Sequence, residues 1–458
     1  MSNKKLNLLD SSMLVMGSMI GSGIFIVSAG MGRDLGNPEN LLLAWIVTGL
    51  LTLFAALSYA ELGAMMPKAG GQYVYLKEAY GKLFGFLYGW TLFTVIQTGT
   101  IAAVAVAFAR FTGVLIPWFS EKNILIGNSS FGVSAVQLLG IVVVWLLTFS
   151  NFRAVKEGAL VQNIFTISKI TALVFVIIAG VFFIFAHPEG IYQFKWEQVW
   201  KIPTTDGLMQ NLSFGVFAAA LVGSIFSSDA WNNITFTSSE IENPQKNLPK
   251  ALLIGTGGVT ILYLFSNWVF INAIPFESIQ NAPSDRVGTL LMKTVFGNIG
   301  EILMALLIMV STFGCINGLT LSGSRVYYAM SKDGLFFKAA QKLNKNEAPQ
   351  QALIFQAIWT SLLTLSGSYG DLLDYVVFAV LLFYILTVFA LFLFRFKKPN
   401  EERPYKVWGY PLVPAIYILL ASAICISLLI YKPNYTYPGL GIVLLGVPVY
   451  YLFARKGS

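Results

Sequence analysis

Charge is scarce in this sequence. Of 458 residues, 30 are Lys or Arg and 22 are Asp or Glu, 11% in all, where a soluble domain carries roughly 25%. Long polar stretches are missing as well. A chain of this length has room for two or three soluble domains, but its apolar runs leave too little polar sequence between them. Histidine and cysteine are almost absent. His187, the single histidine, stands at the end of an apolar run, as an interfacial residue does, which disfavours a histidine proton relay. Cys315 and Cys425 both lie inside apolar runs; neither can form a disulfide between loops, and a metal site needs more ligands than these. With no metal-ligand cluster and no nucleophile–base pair in view, a membrane enzyme is the weakest reading, and no catalytic residue, metal or cofactor is expected. A cleavable signal peptide is also missing: the N-terminus is short and polar, and the first apolar run is full length without a small-residue cleavage site.

What the chain has is apolar sequence. Its hydrophobic share is 56% and its aromatic share 14%, with 41 glycines and a mean hydropathy of +0.69. Aromatic rings anchor at membrane interfaces and glycine lets membrane helices approach closely. A spanning helix needs about 20 apolar residues. Candidate spans fall at 12–33, 41–65, 84–117, 131–151, 157–186, 208–241, 250–275, 288–330, 349–367, 371–396, 411–431 and 436–454. They predict one all-α integral membrane domain over 1–458 with about twelve transmembrane helices. Spans 3, 6 and 8 exceed the bilayer and must tilt, break or protrude.

The net charge of +8 does not point to nucleic acid, because the basic residues sit in short loops. With a cytoplasmic N-terminus, the outer side holds only Arg33, Arg110, Lys122, Lys195, Lys201, Arg286, Lys293 and Lys432. Every other Lys or Arg, from Lys4 and Lys5 through Arg153 to Arg455 and Lys456, falls on the inner side, Lys169 excepted. This asymmetry makes the protein multi-pass with both termini cytoplasmic, and the polar stretch His187 to Gly207 an external loop.

Two spans are interrupted. The first carries three glycines and two serines in seven places, Gly17-Ser18-Met19-Ile20-Gly21-Ser22-Gly23. Each glycine costs a helix interior roughly 1 kcal/mol against alanine, so the segment is expected to unwind. Unwound N–H and C=O groups cannot face lipid; protein, water or a ligand must satisfy them. A half-helix restarting near Ile24 would point its positive N-terminus at the bilayer midplane, a ready carboxylate site. A close helix–helix contact through small residues is the plainer alternative. The sixth span carries Ser227-Ser228-Asp229-Ala230-Trp231-Asn232-Asn233 after the apolar stretch to Phe226. An ionised Asp at bilayer depth costs about 2.5–3.5 kcal/mol on insertion scales, and Ser, Asp and Asn offer the backbone alternatives to helical bonding. Two broken helices, each opening five spans, point to a carrier built on inverted repeats. Repeat one would run over about 12–186, repeat two over about 208–396, and the helices at 411–454 would be accessory. Amine capture by free carbonyls and carboxylate capture by free N–H groups suit a zwitterion.

Lys169 lies half-way through the fifth span, too deep to snorkel. A buried ammonium needs oxygens or loses its proton; carbonyls of span 1 and the hydroxyls of Ser311 and Thr312 are candidate partners. A fixed cation, a titrating group that couples a proton to transport, and a purely structural pairing remain open.

Four motifs in order carry a resemblance over roughly residues 10–400. They are Gly17 to Phe25; Tyr59-Ala60-Glu61-Leu62 with Pro67, Gly70-Gly71 and Tyr73-Val74-Tyr75; Asp229 to Asn233 with Glu240, Asn243-Pro244 and Pro249; and Asn317-Gly318 with Ser324 to Gly334. On these the chain resembles the amino acid–polyamine–organocation superfamily, nearest its L-type amino acid transporter branch and bacterial serine/threonine exchanger relatives. The resemblance implies alternating-access transport of neutral L-amino acids across a lipid bilayer, as an exchanger or a proton symporter. It implies carboxylate binding at the N–H groups of Gly21, Ser22 and Gly23 with the Ser22 hydroxyl, amine binding at carbonyls near Met19, Phe226 and Asp229, and Ile20 among the substrate-binding residues. Phe226 would be the aromatic gate, with Trp231 and Asn232 just past the break. Lys169, with Gly17, Ser311 and Thr312 around it, would replace a sodium site. Ser228 and Ala230 depart from the tyrosine and glycine of many relatives, which puts the particular substrate in question. The loop Pro117 to Phe131 lacks the cysteine by which animal light chains bind a glycoprotein, so no disulfide-linked heavy chain is expected and a bacterial inner membrane is. A transporter-like sensor would need a soluble output region, for which the tails are too short; a channel would need a filter sequence, and nothing resembles one.

Overall fold

The computed structural model describes residues 5–68, 70–127, 132–152, 155–188, 191–203, 209–346, 348–366 and 369–456. Phe131, Arg153 and Gly207, and the outermost residues 1–4 and 457–458, all used in the expectations for loops and orientation, lie outside these.

Helix α1 (Leu8–Met19) opens on a capping box in which the Asn7 side chain accepts from the Asp10 N–H and Asp10 accepts from the Asn7 N–H. It stops at the glycine-rich stretch, where Ile20 turns extended (ψ 99°). A 3-10 turn at Gly23–Phe25 leads to α2 (Val27–Leu35). Asn37 caps α3 (Pro38–Met65), with proline in its first turn. Helix α4 (Gln72–Tyr80) follows, then α5 (Lys82–Thr91) and α6 (Gln97–Leu115), joined through a π turn at Leu92–Ile96. Next come α7 (Ala135–Ser150) and α8 (Val155–Ala186). The sixth span is split into α9 (Phe214–Ala220), α10 (Val222–Ser227) and α11 (Asn233–Phe236). The remainder is α12 (Pro244–Ala273), α13 (Phe276–Gln280), α14 (Val287–Lys332), α15 (Gln350–Ser366), α16 (Tyr369–Lys397), α17 (Leu412–Tyr431) and α18 (Pro433–Lys456).

Among the described residues, 7 helical segments are long and apolar enough to cross a membrane. The other expected spans are the two broken ones and shorter apolar helices. The three overlong spans resolve in three ways. Span 3 carries the π turn, span 6 breaks, and span 8 bends at Gly297 (φ 64°).

Three features depart from the sequence-based expectation. The second half of span 6 is a single turn, α11, followed by a 3-10 turn at Ser238–Glu240, rather than a continuing helix. The helix α4 stands where only a loop is expected: Gly71 (φ 45°) turns the chain, and Tyr73, Tyr75 and Leu76 are buried. Its Lys77 ammonium and Tyr73 hydroxyl each approach Asp333 at 2.7 Å. Burial raises the Asp333 pKa, but these two donors outweigh it and hold the carboxyl below its usual range. The third departure is a pair of two-stranded hairpins, Ile124–Gly127 with Gly132–Ser134 and Lys201–Pro203 with Met209–Asn211. The Lys201 carbonyl accepts from Asn37 (2.8 Å) and Asn40 (2.6 Å), so the second hairpin is fastened to the start of α3.

Lipid tails give no hydrophobic drive for helix association, so packing and polar contacts must hold the bundle. A Cβ on Gly255 of α12 would collide with Val15 of α1, which shows how closely those two helices lie. At the far end of α3, Glu61 is 1% exposed and receives Arg395 through Nε (2.9 Å) and Nη2 (2.6 Å), the Val407 N–H (2.7 Å), and Arg403 at 3.4 Å. This ties α3 to α16 and to the segment before α17. Removing one member of a buried charge network costs about 3–5 kcal/mol because its partners stay behind. Glu61→Ala is therefore expected to lower the melting temperature of detergent-purified protein far more than alanine at the exposed Glu401; equal effects would refute the network's role.

Candidate functional site

The two breaks lie against each other. A Cβ added to Gly23 would overlap the Ser227 hydroxyl and stand 2.9 Å from the Ser227 Cβ and 3.1 Å from its Cα. Tyr263 of α12 joins them, its hydroxyl reaching both the Met19 carbonyl (3.0 Å) and the Ser227 carbonyl (3.2 Å). The segment Ile20 to Gly23 is buried throughout.

Carbonyls and N–H groups of the first break have different fates. Each carbonyl from residue 17 to 20 is met by a side chain of a neighbouring helix. Gly17 accepts from Lys169 Nζ at 2.7 Å, Ser18 from Cys315 Sγ at 3.6 Å, Met19 from Tyr263, and Ile20 from Ser311 Oγ at 3.5 Å. The N–H of Ile20 closes the last turn of α1 on Met16, and the next bonded N–H is that of Phe25, on Ser22. Between them, the N–H groups of Gly21, Ser22, Gly23 and Ile24 have no acceptor among the described residues. The Ser22 hydroxyl is likewise buried without a hydrogen-bond partner. Unpaired buried donors are rare and costly in proteins. A row of four, beside a free hydroxyl, is chemically suited to a carboxylate.

Lys169 is 1% exposed, and its ammonium sits at the carbonyl end of α1, where a cation complements the helix dipole. Of the oxygens expected around it, the Gly17 carbonyl is bonded. The two hydroxyls go elsewhere: Ser311 donates to Ile20, and Thr312 to Ile308 and Met309 inside its own helix. A helical Thr finds its nearest acceptor one turn back, and that local bond wins for Thr312.

The second break is more divided. Phe226 and Ser227 end α10, and the Asp229 N–H closes on the Phe226 carbonyl at 3.2 Å. Ala230 adopts φ 67°, a left-handed conformation costly for a residue with a Cβ. Asp229 Oδ1 accepts from the Tyr384 hydroxyl of α16 at 2.6 Å. Trp231 packs into a cluster of rings, edge-on to Tyr59 at 4.8 Å and 5.1 Å from Tyr384. Asn232 donates to Gln72 of α4 at 3.0 Å, and Gln72 donates on to Thr387. Asp229 and Asn232 also line a polar cavity with Gln97, Thr100, Tyr88 and Tyr384. The structure thus gathers Gly17 to Gly23, Lys169, Ser311 and Ser227 in one place, while Trp231 and Asn232 brace the second break from α3, α4 and α16.

Tyr263, Cys315, Tyr384 and Gln72 escape a reading by sequence. Each is one polar group in an apolar or loop segment, with nothing local to mark it. Among the described residues no group of three His, Cys, Asp or Glu could hold a metal ion. Cys315 and Cys425 are buried and unbridged.

A family model described as amino acid permease matches residues 6–451. The large neutral amino acids transporter small subunit 2 of Homo sapiens is 33% identical over 451 residues, covering 98% of this chain and 80% of that protein. The serine/threonine exchanger SteT of Bacillus subtilis is 31% identical over 461 residues, covering 99% and 98%. The human cystine/glutamate transporter is 31% identical over 453 residues, covering 98% and 85%.

Proposed function

Since this chain belongs to the amino acid permease family of the amino acid–polyamine–organocation superfamily, we propose that it exchanges neutral L-amino acids by alternating access, without sodium. It is a membrane transporter of amino acids and not an enzyme. The observation that carries the finer reading is the row of unpaired N–H groups at Gly21 to Ile24 beside the Ser22 hydroxyl. The substrate carboxylate completes those bonds. Its amine meets the second lone pairs of carbonyls at Met19 and Ile20 and the carbonyls near Phe226 and Asp229. Phe226 closes over the bound molecule, and Trp231 and Asn232 support the turn beyond it.

The two breaks open two five-helix repeats of opposite orientation, about 12–186 and 208–396, with α17 and α18 outside them. Binding energy at the shared site stabilises an occluded state, and one bundle rocks against the other around it. Lys169 sets its ammonium against Gly17, with Ser311 and Thr312 on the helix facing it, in the place of a sodium ion. Both termini face the cytoplasm of a bacterial cell, and the chain works without a disulfide-linked heavy chain. Neutral substrates fit because a single carboxylate, Asp229, lines the breaks and Tyr384 already engages it.

Counterflow of radiolabelled amino acids in proteoliposomes tests this reading. We expect labelled neutral amino acids to accumulate only in vesicles preloaded with unlabelled substrate, at the same rate when choline replaces sodium. Uptake that needs sodium, or an inward proton gradient and no internal substrate, would overturn it in favour of symport.

A further inference from the structure

A groove apart from the breaks runs between α3 and α12, roofed by the loop after α8. It holds about 520 Å³. The two helices run antiparallel, with Trp45 edge-on to Tyr263 at 5.5 Å, so Glu39 at the start of α3 lies level with the last turns of α12. The groove wall changes character with depth. Leu42, Leu43 and Ile46 on α3 and Leu264 and Phe265 on α12 line its deeper part. Ile46 is 45% and Phe265 55% exposed, apolar surface of the kind that faces hydrocarbon in a membrane protein. Trp268, Phe194 and Trp196 complete the wall near Glu39, rings of the kind that gather at headgroup height.

Glu39 lines the same groove and is 0% exposed. Its Oε1 accepts from the Tyr192 hydroxyl at 2.5 Å and from the Lys195 N–H at 2.9 Å. Its Oε2 is buried with no hydrogen-bond partner. The Tyr192 N–H also donates to Asn272 at the end of α12, at 3.0 Å, so the roof is pinned to both walls. A buried carboxylate oxygen without a donor is costly; an apolar trough capped by one calls for an amphiphile that brings donors of its own.

We propose that this groove is a binding site for a phospholipid with a primary ammonium headgroup, phosphatidylethanolamine, in the outer leaflet of the orientation proposed above. The ammonium donates to Glu39 Oε2 among the aromatic rings, which also attract a cation. The exposed Lys195 offers positive charge to the phosphate, and the acyl chains lie along Ile46 and Phe265. A bound lipid of this kind would clamp the loop 191–203 across α3 and α12, the helix whose Tyr263 joins the two breaks.

Native mass spectrometry of the full-length protein in detergent tests the site. The protein is incubated with equal amounts of phosphatidylethanolamine, phosphatidylcholine and phosphatidylglycerol of the same acyl chains. A charge-assisted hydrogen bond sets the expected preference for ethanolamine over choline at roughly tenfold. Glu39→Gln should bring that ratio to about one, since the amide keeps an acceptor for Tyr192 but loses the charge. Ile46→Trp, which fills the trough and leaves Glu39 in place, should remove the retained lipid. Equal retention of ethanolamine and choline lipids by the unmodified protein overturns the proposal, as does an undiminished preference in Glu39→Gln. Displacement of the ethanolamine lipid by a sterol at equal concentration also overturns it, in favour of a hydroxyl ligand. The unmodified protein alone decides the first comparison, so a poorly folding variant does not blunt the test.

Discussion

Gly23→Val abolishes transport while the protein still inserts and purifies as a single species. That is the expected result, and the reason is spatial. The Cα of Gly23 packs on Ser227, so that a Cβ would overlap the Ser227 hydroxyl and lie within 3.1 Å of its backbone. Valine adds two further methyl groups. Overpacking of this kind costs roughly 1–3 kcal/mol in a well-packed site, small beside the packing of the whole bundle. The transport site is less tolerant. Separating the breaks by even 1 Å misplaces the donors at Gly21 to Ile24, and displacements of that size cost reacting groups about a hundredfold. Uptake of labelled substrate into proteoliposomes should fall by about that factor, with the elution profile in detergent unchanged. The double variant Gly23→Ala with Ser227→Gly should regain part of the activity lost in Gly23→Ala, because it removes the side chain with which the new methyl collides. Normal uptake by Gly23→Val would count against the contact between the breaks as part of the carrier cycle.

Lys169→Ala is the second severe lesion. The side chain is buried from stem to tip, and its ammonium donates to the Gly17 carbonyl at the end of α1. Alanine leaves that carbonyl without its donor, at about 1–3 kcal/mol, and opens a cavity between α8 and α1. Each 1.4 kcal/mol is roughly tenfold in an equilibrium, so loss of the conformation that holds the unwound segment in place should cut uptake between roughly tenfold and a hundredfold. Lys169→Met separates charge from bulk. It preserves most of the stem, so a loss equal to that of alanine assigns the effect to the ammonium, and a substantial recovery assigns it to packing. A fixed cation also makes a statement about protons: exchange by the unmodified protein should respond equally to an imposed pH gradient in either direction. A gradient that drives net uptake would instead make Lys169 a titrating, coupling group.

The polar groups around the first break are the reason its disruption is expected to be severe. Four carbonyls in a row receive donors from three different helices, through Lys169 of α8, Tyr263 of α12, and Ser311 and Cys315 of α14. The unwound segment is therefore braced on its acceptor side, while the N–H groups of Gly21 to Ile24 have no acceptor among the described residues. Under the proposed function, that asymmetry favours an anion on the donor side.

Much of this was legible in the sequence because membrane burial imposes strong local rules. The long apolar runs appear as helices with ends close to those expected, though the caps at Asn7 and Asn37 start α1 and α3 a few residues earlier. The first break was legible because three glycines and two serines in seven places cannot sustain a membrane helix. The short α11 and the buried α4 were less so. Asn, Ser and Thr after Trp231 fit a loop or a helix equally well, and Tyr73 to Leu76 become buried only because α5 and α16 cover them.

What the sequence determined by itself was the solvent and the two weak points: a chain this poor in charge must live in lipid, and a span with that many glycines must unwind. These are properties of neighbours along the chain. Only the tertiary structure decided what the freed backbone groups meet. Lys169 chooses Gly17 across 152 residues, Tyr263 reaches Met19 across 244, and Ser311 reaches Ile20 across 291. No local pattern encodes such pairings, because a lone polar side chain in an apolar helix has many possible partners until packing leaves it one.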